Sequence, residues 1–176
     1  MSATPENAKT RIIFDATVLS NFARIGQFDQ LQLFYADRAS TTLMVVEEIH
    51  RGVEAGYSEL AVVERHLKPA GWLAVTAPET SEEQSLFVTL LASLGSGEAS
   101  CLATARMRNL IVATDERAAR LRAAALDVRV TGTLGILVRL VQAEHLTSAQ
   151  ANELLTGMRL AGYYSPVQDL TPRDFM

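Results

Sequence analysis

Two short apolar runs, each followed by an aspartate, most constrain the fold of this chain. The first run covers residues 11–14 and is followed by Asp15, and the second covers residues 110–114 and is followed by Asp115. Short uninterrupted apolar runs are typical of strands that are buried on both faces of a parallel sheet. Ligands of open α/β sheets bind outside the carboxyl ends of the strands. Both aspartates are therefore predicted to lie at a ligand site.

Apolar residues at helical spacing separate these runs and predict strands that alternate with helices. Val18, Leu19, Phe22 and Ile25 follow the first strand at this spacing, and Gly26 is expected to end the helix. Further short strands are expected at 72–75 and 128–130. This alternation over 176 residues predicts one α/β domain with a central parallel sheet. We expect it at 11–162, between a flexible N-terminus (1–10) and a C-terminal tail (163–176).

The composition excludes several classes of protein. A hydrophobic content of 48% with 20% charged residues indicates a globular chain. We expect a cytoplasmic protein that does not enter a membrane, because residues 1–10 are too polar for a secretory signal and no apolar run has the length of about 18 residues that spans a bilayer. The single cysteine, Cys101, excludes an intramolecular disulfide and a cysteine-rich zinc site. A small core residue is the expected role for Cys101.

Four acidic residues are candidates for one metal site. Glu48 and Glu98 lie on predicted helices that could return to the sheet edge where Asp15 and Asp115 are expected. Carboxylates without a neighbouring histidine or cysteine form a hard oxygen site that suits Mg²⁺ or Mn²⁺. Each acid also has a structural alternative, since the two aspartates could cap helices and Glu98 could complement a helix dipole. Glu47 stays open as an alternative to Glu48.

Hydroxyl and basic residues accompany the two aspartates. Thr17 and Thr114 are placed to orient a carboxylate or a bound water. Arg117 or Arg120 is expected to hold a phosphate. More broadly, a group of arginines around Asp115 predicts a basic rim that attracts a polyanion, with a solvated helix face as the alternative. Its members are Arg106, Arg108, Arg117, Arg120, Arg122 and Arg129.

Five motifs together resemble those of PIN-like domains. They occur in the order and spacing of the prokaryotic group related to VapC-type toxins. The resemblance extends from residue 11 to about residue 162 and implies a three-layer α/β/α fold with a central parallel sheet. It also implies a metal-dependent endoribonuclease. The motifs lie at residues 12–19, 46–49, 97–100, 114–120 and 132–135.

The resemblance also implies roles for individual residues. Asp15, Glu48, Glu98 and Asp115 match the catalytic and metal-binding acids, and Mg²⁺ or Mn²⁺ is the implied cofactor. Thr17 matches a hydroxyl residue that often follows the first acid. Glu116 stands where relatives often have a second aspartate, so a metal contact from Glu116 is left open. The implied substrate is RNA, and the implied partner is an antitoxin protein.

Two alternatives accompany this prediction. The first is a catalytically silent PIN-like protein that acts as a binding or regulatory module. A receiver-like protein with a phosphorylated aspartate is disfavoured, because Asp15 stands alone and lysines occur only at Lys9 and Lys68. The apolar helices expected at 86–94 and 134–141 suit either the core or a homodimer interface. The sequence leaves the RNA target, the acceptance of DNA and the oligomeric state open.

Overall fold

Five short parallel strands form the centre of the protein. The structure is a computed structural model that describes residues 11–175, so the expected flexible N-terminus at 1–10 lies outside the described residues. The strands follow one another across the sheet in the order β3-β2-β1-β4-β5, and every neighbouring pair is parallel. They are β1 (Ile12–Phe14), β2 (Ala39–Thr42), β3 (Ala74–Thr76), β4 (Ile111–Ala113) and β5 (Val130–Thr131).

Helices connect the strands and flank the sheet, giving the predicted three-layer α/β/α fold. Two 3₁₀ turns, Ser58–Leu60 and Pro172–Phe175, accompany them. In the part of the chain that is described, no helix is both long enough and apolar enough to span a membrane. The helices are α1 (Ala16–Arg24), α2 (Asp29–Tyr35), α3 (Leu43–Glu54), α4 (Ala61–Arg65), α5 (Ser81–Leu90), α6 (Ser96–Arg108), α7 (Arg117–Ala125), α8 (Thr133–Gln142) and α9 (Ser148–Leu160).

Strand β1 lies at the centre of the sheet, and its three residues are buried. Phe14 pairs with Thr41 of β2 on one side and with Ala113 of β4 on the other. The chain leaves β1 toward β2 but enters β4 on the opposite side, so the topology changes direction between β1 and β4. Ligand crevices of open α/β sheets form at such switch points. Asp15 and Thr114 follow these two strands directly and therefore lie at the crevice.

Helix α6 packs closely on the sheet and on α3 because its buried face carries small residues. Gly97, Ala99, Ser100 and Ala103 are buried on this face. The Ser100 hydroxyl lies 2.7 Å from that of Thr42, which caps the start of α3. Cys101 of the same helix is fully buried, in keeping with a core role. This close approach brings the acidic residues of α3 and α6 toward the end of β1.

Residues 163–175, expected to be an extended tail, pack against the rest of the chain. Leu170 is buried, and both its backbone groups bond to the Asn152 side chain of α9: its N–H donates to Oδ1 at 2.7 Å, and its carbonyl accepts from Nδ2 at 3.0 Å. The 3₁₀ turn Pro172–Phe175 contacts α8. The segment that follows α9 therefore adds to the core and passes close to the crevice.

An ion pair holds the far end of α6. The buried Glu83 carboxylate of α5 accepts from Arg108 Nε at 2.6 Å and from Arg108 Nη2 at 3.0 Å. It also accepts from the backbone N–H groups of Glu79 and Thr80. The hydrogen bonds from Arg108 are the main cause that lowers the Glu83 pKa to about 2. Arg108, expected to belong to a basic rim around Asp115, is instead part of this structural pair.

Replacing Arg108 by alanine is expected to lower the free energy of unfolding by about 3 kcal/mol at pH 7, because a buried carboxylate loses its partner. A carboxylate whose pKa is lowered by folding stabilises the folded state above its ordinary pKa of 4.5. This stabilisation is lost as the pH falls toward about 2. The difference between parent and variant should therefore shrink across that range. Urea denaturation from pH 7 to pH 3 measures this.

Arg106→Ala is the matched control, because Arg106 is an exposed arginine in the same last turn of α6. Its loss should change the free energy of unfolding by less than about 0.5 kcal/mol. Equal destabilisation by the two substitutions would show that the Glu83 pair contributes nothing specific.

Candidate functional site

Asp15 is a buried carboxylate at the end of β1, with only 1% of its surface exposed. Its Oδ1 accepts from the backbone N–H of Ala16 at 2.8 Å, so the side chain caps α1. Its Oδ2 accepts from the hydroxyls of Thr114 at 2.9 Å and Thr17 at 3.2 Å. Burial is the main cause that raises the Asp15 pKa to about 7, and the charges of Glu48 and Glu98 raise it further. Asp15 can therefore cap α1 and also take part in a functional site.

The structure separates Glu48 from its neighbour Glu47. A Cβ atom added to Gly97 would lie 2.8 Å from Glu48 Oε2 and 3.6 Å from Asp15 Oδ1, so both carboxylates approach the same point of α6. Glu47 instead lines a different depression, together with His50 and Glu64. Glu48 is thus the α3 acid that reaches the crevice, and the absence of a side chain at Gly97 makes room for it.

Glu98 and Glu116 complete the electrostatic group around Asp15. Glu98 begins α6, and its Oε2 accepts from the backbone N–H of Gly95 at 3.1 Å. Partial burial raises the pKa of both Glu48 and Glu98, and the charge of Glu116 raises both further. Glu116, whose role the sequence left open, therefore lies close enough to influence two of the predicted site acids.

Asp115 is engaged by protein donors on both carboxylate oxygens. Oδ1 accepts from the Thr133 N–H at 2.9 Å and from the Tyr163 hydroxyl at 3.4 Å. Oδ2 accepts from the Thr133 hydroxyl at 2.6 Å and from Asn21 Nδ2 at 3.0 Å. The backbone N–H of Asp115 also donates to Thr17 Oγ1 at 3.3 Å. We call this set of contacts the Asp115 clasp; it joins the end of β4 to α1, α8 and the C-terminal segment.

The glycine-rich turn before α8 belongs to the clasp. A Cβ atom on Gly132 would lie 2.5 Å from Asp115 Oδ1 and 3.2 Å from the Thr114 carbonyl, so only glycine permits this approach. Backbone N–H groups of such a turn can hold a phosphate. The Thr133 amide of this turn instead binds Asp115, which places a carboxylate at the N-terminus of α8.

The expected basic rim does not assemble around the aspartates. Arg117 lines the crevice, whereas Arg120 Nη1 donates to the carbonyls of Thr114 at 3.0 Å and Thr131 at 3.2 Å. Arg122 bonds to Ser93, and Arg129 lines a cavity near the start of β1. Because Arg120 braces the backbone, Arg117 is the stronger of the two predicted phosphate-binding candidates.

A cavity of about 510 Å³ opens at the crevice. Glu48, Asp115 and Glu116 line it from the acidic side, and Arg24 and Arg117 provide positive charge. Arg24, Asn21 and the tyrosines at 163 and 164 also line this cavity but were missed from the sequence. The signal for the α1 residues was a polar stripe (Thr17, Ser20, Asn21, Arg24) at helical spacing opposite the apolar face. No local pattern pointed to the tyrosines, since the return of the C-terminal segment places them there.

The donor chemistry fits a divalent cation. Asp15, Glu48, Glu98 and Glu116 supply only carboxylate oxygens, which hard cations prefer. Burial is the main cause of the raised pKa values of the first three, and neighbouring carboxylates raise these pKa values further; a bound cation would favour the charged forms. Among residues 11–175, however, no three acidic, histidine or cysteine side chains are arranged as a ready cation site. Side-chain rotation of the more exposed glutamates would be needed to complete one.

Comparisons with known proteins agree with the fold. The family model described as "DUF3368: PIN domain" matches residues 11–171. The crystal structure of PAE2754 from Pyrobaculum aerophilum is similar to this chain, with a TM-score of 0.53 and 19% sequence identity. The similarity covers 75% of this chain and 97% of that one. A search of curated proteins found no match.

Without a cation, the fold should lose stability as pH rises through Asp15 ionisation. A carboxylate pKa raised from 3.8 to about 7 means that the folded state holds one more proton than the unfolded state between these values. The free energy of unfolding should therefore fall by up to about 4 kcal/mol between pH 4 and pH 7. Asp15→Asn should remove most of this slope and make the protein more stable than its parent at pH 8. Urea denaturation in EDTA measures both.

Asp127→Asn is the control for this experiment. Asp127 is exposed and has φ of 54°, a backbone conformation that asparagine tolerates, so only a remote charge is lost. The pH dependence of its free energy of unfolding should follow that of the parent. A profile of Asp15→Asn that also runs parallel to the parent would show that Asp15 is already ionised at pH 4.

Proposed function

We propose, because the chain belongs to the PIN domain family, that it is a metal-dependent endoribonuclease. Members of this family are generally nucleases. The observation that carries the proposal is the group of Asp15, Glu48, Glu98 and Glu116 at the switch point of the sheet. Within the part of the chain that is described, none of these acids forms an ion pair with lysine or arginine. Such a group weakens the fold unless a ligand uses it.

In this proposal, Asp15, Glu48 and Glu98 hold one or two Mg²⁺ or Mn²⁺ ions. Glu116 is added to this set because its charge acts on both Glu48 and Glu98. When bound, these ions would activate a water for attack on phosphorus and neutralise charge on the phosphate. Asp115 was expected to be a direct ligand, but each of its oxygens already accepts two hydrogen bonds, whereas Oδ1 of Asp15 accepts only one; we therefore assign Asp115 a positioning role.

The chain's own groups prepare the reaction in three ways. The hydroxyls of Thr17 and Thr114 both donate to Asp15 Oδ2. These hydrogen bonds hold the carboxylate in one orientation before a ligand binds. Glu48 has a raised pKa and lines the open cavity, so its Oε2 is suited to accept a proton from the attacking water. Arg117 lines the same cavity and would bind the phosphate that is cleaved.

A finer form of the proposal concerns partners. The resemblance to VapC-type toxins supports a toxin whose activity is blocked by an antitoxin protein, and a cytoplasmic location follows from that role. The apolar helices that suited a homodimer serve mainly the core, since Leu90 of α5 and Ile136, Leu137 and Leu140 of α8 are buried within one chain. Val88 of α5 and Leu91, which directly follows this helix, stay exposed, so α5 is the better candidate for a dimer surface.

One observation favours a catalytically silent binding module instead. The Asp115 clasp uses one of the four predicted acids for structure, and the remaining carboxylates are not arranged as a ready cation site. A silent protein would gain no thermal stability from Mn²⁺ or Mg²⁺. An active one would gain stability that Asp15→Asn abolishes, because binding to the folded state alone raises its stability.

The purified protein is expected to cleave single-stranded RNA with Mn²⁺ or Mg²⁺, and EDTA should abolish the activity. Asp15→Asn and Glu48→Gln should each lower kcat/KM at least about a hundredfold, or about 2.7 kcal/mol in transition-state stabilisation. Asp127→Asn, prepared in the same way, should retain the parent rate. Equal cleavage by the parent and both site variants would reveal a contaminating nuclease and end the proposal.

Gly97→Ala is expected to reduce cleavage at least about tenfold while changing stability little. The new Cβ would lie 2.8 Å from Glu48 Oε2, a flexible carboxylate that can move away, and 3.3 Å from Val45 Cγ2 in the core, which must shift by a few tenths of an ångström. A helical alanine also gains about 0.5–1 kcal/mol over glycine. Cleavage activity should therefore fall while the thermal midpoint of unfolding stays close to that of the parent. Gly95→Ser is the control, because a Cβ at Gly95 would lie at an ordinary 3.9 Å from Glu98 Oε2; a comparable loss of activity there would contradict the steric explanation.

A further inference from the structure

The segment after α9 places an exposed tyrosine at the mouth of the acidic cavity. Tyr163 is half-buried, and its hydroxyl donates to Asp115 Oδ1 at 3.4 Å, which ties the segment to the clasp. The Ser165 hydroxyl donates to the Val167 carbonyl at 2.7 Å and accepts from the Val167 N–H at 3.2 Å, which tightens the turn that follows. Tyr164, held between these two anchors, lines the cavity but is 94% exposed. Its ring therefore contributes almost nothing to the core.

Arg24 lines the same cavity from the last turn of α1. It lies nine residues after Asp15, which corresponds to roughly 13 Å along the helix axis. Its guanidinium stacks over the Tyr57 ring at 5.2 Å, so the side chain is held in place. Its Nε is buried and has no hydrogen-bond partner among residues 11–175. A fixed guanidinium that lines an open cavity is suited to bind an anion.

The two groups point to one kind of ligand. Arginine binds phosphate through its planar set of donors, and an exposed aromatic ring stacks on a nucleobase. Stacking requires an unpaired base, which a single strand provides and a duplex does not. The cavity that Arg24 and Tyr164 share with Glu48 and Glu116 measures about 510 Å³ and is open to solvent. A strand with a phosphate at the acids would therefore continue past both residues.

We propose that Arg24 and Tyr164 form a subsite for the nucleotides that flank the cleaved bond of single-stranded RNA. Arg24 binds a backbone phosphate beyond the one that is cleaved, and Tyr164 stacks on a flanking base. This inference rests on the proposed ribonuclease function for the position of the cleaved phosphate. The subsite selects unpaired RNA without reading its sequence, because every base offers a flat face.

Binding in EDTA tests the subsite without turnover. Fluorescence anisotropy of a labelled single-stranded RNA is measured with the full chain and with each variant. Tyr164→Ala should weaken binding roughly tenfold, whereas Tyr164→Phe, which keeps the ring, should bind like the parent. Arg24→Ala should lower the slope of log affinity against log salt by about 0.7, the value for one phosphate contact on a single strand. An RNA that lacks bases should show no difference between Tyr164→Ala and the parent.

Two substitutions outside the cavity serve as matched controls. Leu33→Ala removes an exposed apolar side chain from α2, and Arg106→Ala removes an exposed arginine from α6. Both should bind RNA with the affinity and salt slope of the parent. A loss of affinity in these controls equal to that in the subsite variants would overturn the assignment, because it would trace binding to general surface properties.

Cleavage of the same RNA with Mn²⁺ separates the two proposals. If the parent binds RNA through Arg24 and Tyr164 but does not cleave it, the subsite stands and the ribonuclease function fails. If the parent cleaves RNA and both variants bind and cleave as the parent does, the function stands and the subsite is overturned. An absence of both binding and cleavage overturns both. Support for the subsite is a higher KM in both variants with kcat changed less than about threefold.

Discussion

The rest of the site depends on the Asp115 clasp. One carboxylate draws together four parts of the chain that are remote in sequence: the end of β4, α1 through Asn21, α8 through Thr133, and the C-terminal segment through Tyr163. Hydrogen bonds to an ionised acceptor are stronger than those between neutral groups. The clasp therefore defines the floor of the crevice, and Glu48 and Glu116 line the cavity beside it.

Asp15 has the opposite character, although it also lies just past the end of a central strand; Thr114, and not Asp115, stands at the equivalent position after β4. Asp115 is satisfied by four side-chain and backbone donors, whereas Asp15 is buried beside other carboxylates and has a pKa of about 7. Two aspartates with similar sequence contexts thus have different roles in the site. Asp115 stabilises the local fold, whereas the burial of Asp15 costs free energy that a bound ligand can offset.

Much of the fold was predictable from the sequence, because buried strands and amphipathic helices leave local patterns. The parallel sheet, Asp15 at its edge and the acids of α3 and α6 followed from such patterns and from the resemblance. The sequence did not show whether Glu48 or Glu47 belongs to the site, since this depends on which side chain faces Gly97. The Asp115 clasp and the approach of Tyr163 and Tyr164 were also unpredictable, because they arise from contacts across 18 to 98 residues of chain. Arginines near Asp115 in sequence were misleading, since helix geometry directs Arg108 to Glu83 and Arg122 to Ser93.

Helix α6 is anchored at both of its ends, by Glu98 at the Gly95 amide and by Arg108 at Glu83. Between the anchors, small residues pack directly on the sheet and leave no loose side chain to absorb a shift. An inserted or deleted residue would rotate one end of the helix by about 100° relative to the other. Such a change would separate either Glu98 from the crevice or Arg108 from its carboxylate. The number of residues in α6 is therefore under tighter constraint than the identity of most of its exposed side chains.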